Sequence, residues 1–166
     1  MHFLISNAVG QLSTVTETFS MDAKLCKTPL TGDYVAKYMR EFLGPDAILN
    51  SIEAAEQIAV GQGFVSNILR LKLKWEPRSQ NHLPHTVIVK APTVESLNKL
   101  FQVISGQDDT DKSQAVLTQA VTGAHNAECE VYKIFKNKPP IAMPKYFAAI
   151  PITDDAPGMI ILEDLR

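Results

Sequence analysis

The stretch Thr86-Val87-Ile88-Val89-Lys90-Ala91 decides how this chain is read. A run of high strand propensity leads straight into a lysine. A strand this apolar is expected to be buried on both faces, which brings Lys90 close to the core. An unpaired ammonium is costly there, so an anion is expected nearby. Two supports would make Lys90 a nucleotide lysine: a glycine-rich turn upstream and a helix with an inward carboxylate downstream. The sequence offers both.

Upstream, Gly61-Gln62-Gly63-Phe64-Val65-Ser66 separates two segments of strand character. Glycines let the backbone approach a polyphosphate with its N–H groups turned inward. Taken alone, such a turn also fits a plain hairpin, and Ser66 stands where the fuller kinase loop has its third glycine. Downstream, residues 113–136 read as one long helix. Val131, Tyr132 and Phe135 follow Glu128 at helical spacing, which puts Glu128 in line with an apolar stripe. Glu130 lies about 200° further round and is expected in solvent. If this helix packs on the strand, Lys90 and Glu128 satisfy each other within salt-bridge reach, and the pair aims the ammonium at phosphate oxygens.

The rest of the pattern frames these pieces. Residues 1–30 are rich in Ser and Thr without sustained periodicity, and read as a loosely ordered arm. Residues 31–166 read as the folded domain. Val35, Tyr38, Met39 and Phe42 mark a first helix, ended by Gly44-Pro45. Residues 52–60 are ambiguous between helix and strand, with strand character by Gln57. From 64 to 75 the chain alternates: Leu69, Leu71, Leu73 and Trp75 point one way, and Ile68, Arg70, Lys72 and Lys74 point to a wet face. Residues 94–104 have helical spacing, and 106–111 form an acidic loop. Residues 146–152 and 159–162 complete the strands. The expectation is an α+β fold: an antiparallel sheet of about five strands with helices on one side.

Composition bounds the function. The 166 residues fit one domain and carry a formal net charge of -2, with 45% hydrophobic and 20% charged residues. No Lys/Arg run suggests nucleic-acid binding by bulk charge. No apolar run approaches the roughly 20 residues that span a bilayer, and residues 1–10 lack the basic start of a signal peptide. Cys26 and Cys129 read as free thiols, so a cytoplasmic setting is expected. His2, His82, His85 and His125 lack metal spacing and read as loop or helix-surface residues. Cys129 reads as a small packing residue and Trp75 as core or sheet edge. Asp108, Asp109 and Asp111 read as a solvent loop.

Several of these pieces together resemble a known family. Gly61-Gln62-Gly63-Phe64 with Ser66, Trp75, Leu83-Pro84 before Val87-Ile88-Val89-Lys90, and His125-Asn126 with Glu128 and Tyr132 resemble the choline-kinase-like, ecdysteroid-kinase-like family of the aminoglycoside phosphotransferase and choline kinase superfamily. Met143-Pro144-Lys145-Tyr146 and Met159-Ile160-Ile161-Leu162-Glu163-Asp164 are similar to its following strands and hinge. The likeness covers residues 31–166 and implies a protein-kinase-like N-terminal lobe of an ATP-dependent phosphotransferase acting on a small-molecule hydroxyl. It implies that Lys90 holds the nucleotide phosphates, that Glu128 orients Lys90, and that Gly61, Gln62, Gly63, Phe64 and Ser66 cover the phosphates. It also implies that the backbone at Glu163, Asp164 and Leu165 meets adenine.

Members of that family continue into a large lobe that supplies a catalytic aspartate and a magnesium-binding aspartate. Here no histidine follows His125, and the later aspartates are Asp154, Asp155 and Asp164. The expectation is therefore an ATP-binding half without catalytic or metal-binding residues of its own. A small-molecule alcohol acceptor would enter only with a large lobe, and the exposed hinge-side surface would favour self-association. The alternative is a non-catalytic, pseudokinase-like module that binds a nucleotide or a protein.

Overall fold

A computed structural model describes residues 19–59, 65–78, 82–95, 97–99, 102, 111–136 and 141–166. The elements are α1 (Gly32–Leu43), β1 (Leu49–Ile58), β2 (Ser66–Trp75), β3 (Thr86–Pro92), α2 (Asp111–Ile134), β4 (Tyr146–Ile150) and β5 (Met159–Glu163). The strands form one sheet in the order β1-β2-β3-β5-β4, antiparallel at every step. The α+β class and the five-stranded antiparallel sheet agree with the sequence reading. Residues 95, 97–99 and 102 are helical, in line with the spacing over 94–104. The acidic segment at Asp108 and Asp109 lies outside the described residues.

Local chemistry explains the ends of α1. The Thr31 hydroxyl accepts from the Tyr34 N–H at 3.2 Å and caps the first turn. Gly44 ends the helix at φ 105°, a conformation that strains side-chain-bearing residues. Residues 52–60, ambiguous by propensity, are settled as strand to Ile58, because Ala55 and Glu56 pair with Leu71 and Arg70. Tertiary pairing outweighs the helical preference of Ala and Glu.

The sheet is apolar on both faces near its centre, so it is covered on both. Leu69, Leu71, Leu73, Val87, Val89, Ala91 and Ile161 form one buried cluster with Val35 and Met39 of α1. Ile160, Leu162 and Ala149 form a second with Cys129 of α2, and Ile88 and Tyr132 pack against it. Alternation along β3 and β5 assigns these clusters to opposite faces. The helices thus lie on both sides of the sheet rather than on one. A strand hidden on both faces requires this arrangement.

The boundary expected at residue 30 also moves. Leu25 and Leu30 have no exposed surface and belong to the α1-side core. Phe19 bridges to Ile52 and Lys24 to Thr31, and a tight turn puts Cys26 and Lys27 at φ 46° and 62°. Residues 19–30 are therefore part of the domain. Their apolar anchors are too widely spaced to register as a period.

Candidate functional site

Lys90 lies on the α2 face of β3, with Ile68 of β2 and Ile160 of β5 as its lateral partners. Its Nζ donates to Glu128 Oε1 of α2, and the two side chains are 22% and 29% exposed. The pair expected from sequence is formed. It is sheltered without being sealed.

The position of Glu128 is fixed by a different set of residues than the sequence suggested. The buried stripe of α2 runs through Val121, His125 and Cys129, one helical face at successive turns. Val131 is 43% exposed and does not belong to it. Glu128 borders this stripe, while Glu130 is exposed and pairs with Lys133 at 2.8 Å, as expected.

His125, read from sequence as a surface residue, is fully inside. Its Nε2 lies 2.9 Å from the Ile150 carbonyl at the end of β4, where it donates, and 3.4 Å from Cys129 Sγ. Asn126 accepts from the Ile152 N–H at 2.8 Å and donates to the Ile152 carbonyl at 3.3 Å. Together they bolt α2 to the chain leaving β4, just upstream of Glu128. Gly158 closes over the ring: a Cβ there would come within 2.5 Å of His125 Nε2 and of Ile152 Cγ1. The sequence signal for this anchor was the i, i+4 spacing of His125 and Cys129, masked by the polarity of histidine. Burial pushes the Cys129 thiol up to about 11, so it remains a neutral packing group. Burial, and then the Glu128 charge, raise Tyr132.

The other expected residues fall around this pair. Gly61, Gln62, Gly63 and Phe64 lie outside the described residues. The strands that flank them are placed: Ile58 pairs with Ile68 across the β1–β2 hairpin, and Ala59 turns out of β1 at φ 53°. Ser66 opens β2, buried, opposite Pro92. At the other end of β3, Glu163 is opposite Val87. Its N–H donates to the Lys145 carbonyl at 2.8 Å, and its carboxylate accepts from the Lys145 N–H at 3.1 Å. Leu165 is 72% exposed. Along β3 the order is thus Ser66, then Lys90, then 163–165. From Lys90 to the level of Glu163 is about 10 Å at the strand rise.

Two residues have roles that the sequence reading missed. Arg70, assigned to a wet face, is largely covered: its Nε donates to Asp164 Oδ2 at 2.8 Å, with side chains 17% and 7% exposed. Asp164, expected to act through its backbone, is held by its carboxylate. The strict alternation of β2 grouped Arg70 with the exposed Lys72 and Lys74, and only a long-range partner distinguishes them. Trp75 is half-buried, with its Nε1 donating to the Pro84 carbonyl at 2.8 Å.

Among the described residues, no group of three or more His, Cys, Asp or Glu side chains is arranged to hold a metal ion. Among them also, no helix is long and apolar enough to cross a membrane. No curated protein and no solved structure matches the chain. A family model described as DUF1679, uncharacterized oxidoreductase dhs-27, matches residues 23–165. That span runs from within the packed N-terminal segment, through the Lys90–Glu128 pair, to the exit of β5, and the chain accordingly belongs to the DUF1679 family.

Proposed function

We propose that this chain is the nucleotide-binding part of an ATP-dependent phosphotransferase that acts on the hydroxyl group of a small molecule. The observation that carries the reading is the ion pair between Lys90 at the sheet centre and Glu128 on α2. A lysine ammonium has three N–H donors. One is engaged by Glu128, and the partial exposure of Lys90 leaves the others for phosphate oxygens. Phosphoryl transfer depends on positioning and charge stabilisation, and a carboxylate-held lysine supplies both.

The layout along β3 supports the same reading. Residues 61–64 directly precede Ser66 in the sequence, and Ser66 lies toward the Lys90 end of β3, where phosphates would lie. The backbone of 163–165 is about 10 Å further along, at the distance a nucleoside needs to place its base there. ATP, when bound, supplies the phosphoryl group; this chain's residues hold and orient it. The catalytic base, the magnesium ligands and the acceptor pocket are assigned to residues outside this stretch. The DUF1679 family is related to the ecdysteroid- and choline-kinase-like group, which agrees with this assignment.

The family description includes the word oxidoreductase. A doubly wound dinucleotide fold needs parallel strands and a helix starting at its glycine turn. Among the described residues every strand pair is antiparallel, and the segment that follows Gly61-Gln62-Gly63 in the sequence is a strand. That geometry favours the phosphotransferase reading.

The test is a thermal-shift and calorimetric titration of MgATP on the wild-type chain and on Lys90→Ala, with unliganded midpoints as the folding control. The wild type is expected to gain stability with ATP concentration as binding linkage requires. Lys90→Ala is expected to lose that gain. An equal response in both would refute a phosphate role for Lys90.

A further inference from the structure

The α2 face of the sheet carries a second cation–carboxylate pair besides Lys90–Glu128. Arg70 and Asp164 are among the most enclosed charged side chains of the described structure. We infer that Arg70 is a positioning residue for the base-binding end of the site: through Asp164 it holds the 163–165 backbone where a purine base would meet it. The base-binding part of this inference rests on the nucleotide reading above.

Topology shows why such a tie is needed. β2 and β5 are not neighbours, since β3 lies between them. Arg70 is opposite Ile88, and Ile88 is opposite Leu162, so all three share one row across the sheet. To reach Asp164 the Arg70 side chain passes over β3 beside Ile88. It links β2 directly to the chain that has just left β5. Beyond Glu163 that chain has no ladder partner, and Leu165 is exposed. A segment released from its sheet frays readily unless something holds it. Among the described contacts, the Arg70 guanidinium holds residue 164.

The pair is an inefficient device for stability alone. Arg70 Nη1 is buried without a hydrogen-bond acceptor and lies 3.9 Å from Glu56 Oε2 of β1. An apolar pair of the same volume would stabilise the fold at least as well. What the ion pair adds is direction, because the rigid, planar guanidinium aims its Nε–H at Asp164 Oδ2 along a fixed line, as a methylene chain cannot. Arg70 is confined by Glu56 on one side and Asp164 on the other. The backbone at 163–165 is thereby set relative to β2 and β3, the strands that also carry Ser66 and Lys90.

The roles of the two ends then separate. Lys90 acts on phosphates whatever base is attached. Arg70 acts only on ligands that have a base. Two measurements on Arg70→Met, which keeps the apolar stem, test this. The first is amide hydrogen exchange in the ligand-free chain. Exchange at the Glu163 amide, which is bonded to the Lys145 carbonyl next to the tied residue, is expected to rise about tenfold while β3 and α2 are unchanged, the signature of a local opening. The second compares MgATP with magnesium tripolyphosphate, which has the phosphates and no base. ATP affinity is expected to fall about tenfold and tripolyphosphate affinity less than about twofold. Unchanged exchange would overturn the tie. Equal weakening of both ligands would overturn base positioning. A wild-type chain that binds neither ligand would refute the nucleotide reading and base positioning with it, while the exchange result still decides whether Arg70 holds the segment. Should Arg70→Met fail to fold, Arg70→Lys takes its place; keeping the charge without the fork, it is expected to show the same separation at smaller amplitude.

Discussion

On the α1 side of the sheet, Leu69, Leu71, Val87, Val89, Ala91 and Ile161 have no exposed surface and are sealed by Val35, Met39, Leu25 and Leu30. On the α2 side, the same strands present Arg70, Ile88, Lys90, Ile160 and Leu162 to a thinner cover of Cys129 and Tyr132. The strands are shared, and alternation sends different residue types to each face. The first face is nearly all hydrocarbon and makes the fold stable. The second places charged groups at fixed positions and tolerates partial exposure to do so. A sheet with one sealed and one charged face can hold a ligand without giving up its core.

The largest test of this contrast is Leu71→Ala on the sealed face. Removing a fully buried leucine side chain is expected to cost about 2–5 kcal/mol, read as a lower denaturation midpoint. Ile88→Ala, one residue along β3 from the Leu71 partner Val87 but on the charged face, is expected to cost less, because Ile88 is only partly covered. Equal losses would break the distinction between the faces.

Gly158→Ala tests how Glu128 is held. The added methyl would press on the His125 ring and on Ile152. Such overpacking costs about 1–3 kcal/mol. The strain falls on the anchor of α2, so MgATP affinity is expected to drop along with stability. A stable variant with unchanged affinity would show that the His125–Asn126 anchor does not set the position of Glu128.

These residues also show what sequence could and could not reveal. Lys90 was legible because a strand leads straight into its charge, and Glu128 because Tyr132, one turn further on, does pack against the sheet, although Val131 does not. The sheet class followed from alternation over 64–75 and from the apolar runs at β3 and β5. The second helix face was legible in principle, since a strand apolar on both sides demands it. Arg70–Asp164 was not legible, because nothing local separates Arg70 from Lys72 and Lys74. Its partner lies 94 residues on, beyond three further strands, on a segment without periodicity. His125 was hidden by its type: a histidine among apolar positions is buried only if a carbonyl waits for its N–H, and Ile150 is brought there by the fold. The same limit applies to Leu25 and Leu30, whose burial depends on a turn with left-handed residues at Cys26 and Lys27.

Acidity offers a gentler probe of the α2 face. The Cys129 thiol ionises near 9.0 when exposed and at about 11 in the folded chain, because burial disfavours the thiolate. The unfolded chain therefore loses this proton first. This contribution leaves stability unchanged below pH 9.0 and lowers it as pH rises from 9.0 to about 11. Tyrosines raised by burial act in the same direction at higher pH, so the informative quantity is a difference. Cys129→Val is expected to flatten the midpoint–pH curve over that window relative to wild type. Parallel curves would mean that the thiol is not shielded by α2.

The smallest expected effect is at Val131, which follows Glu128 at helical spacing yet is exposed. Val131→Ser is expected to change stability by less than about 0.5 kcal/mol. A larger loss would return Val131 to the buried stripe and shift the register in which α2 meets the sheet.

The most direct test of the whole account is a double-mutant cycle on MgATP affinity with Lys90→Ala, Glu128→Gln and the double variant. Glu128 is held to act through Lys90, so each single change should weaken binding, and the double variant should bind no worse than Lys90→Ala alone. Losses that simply add, or wild-type affinity retained in Lys90→Ala, would contradict a carboxylate-oriented lysine as the phosphate ligand of this chain.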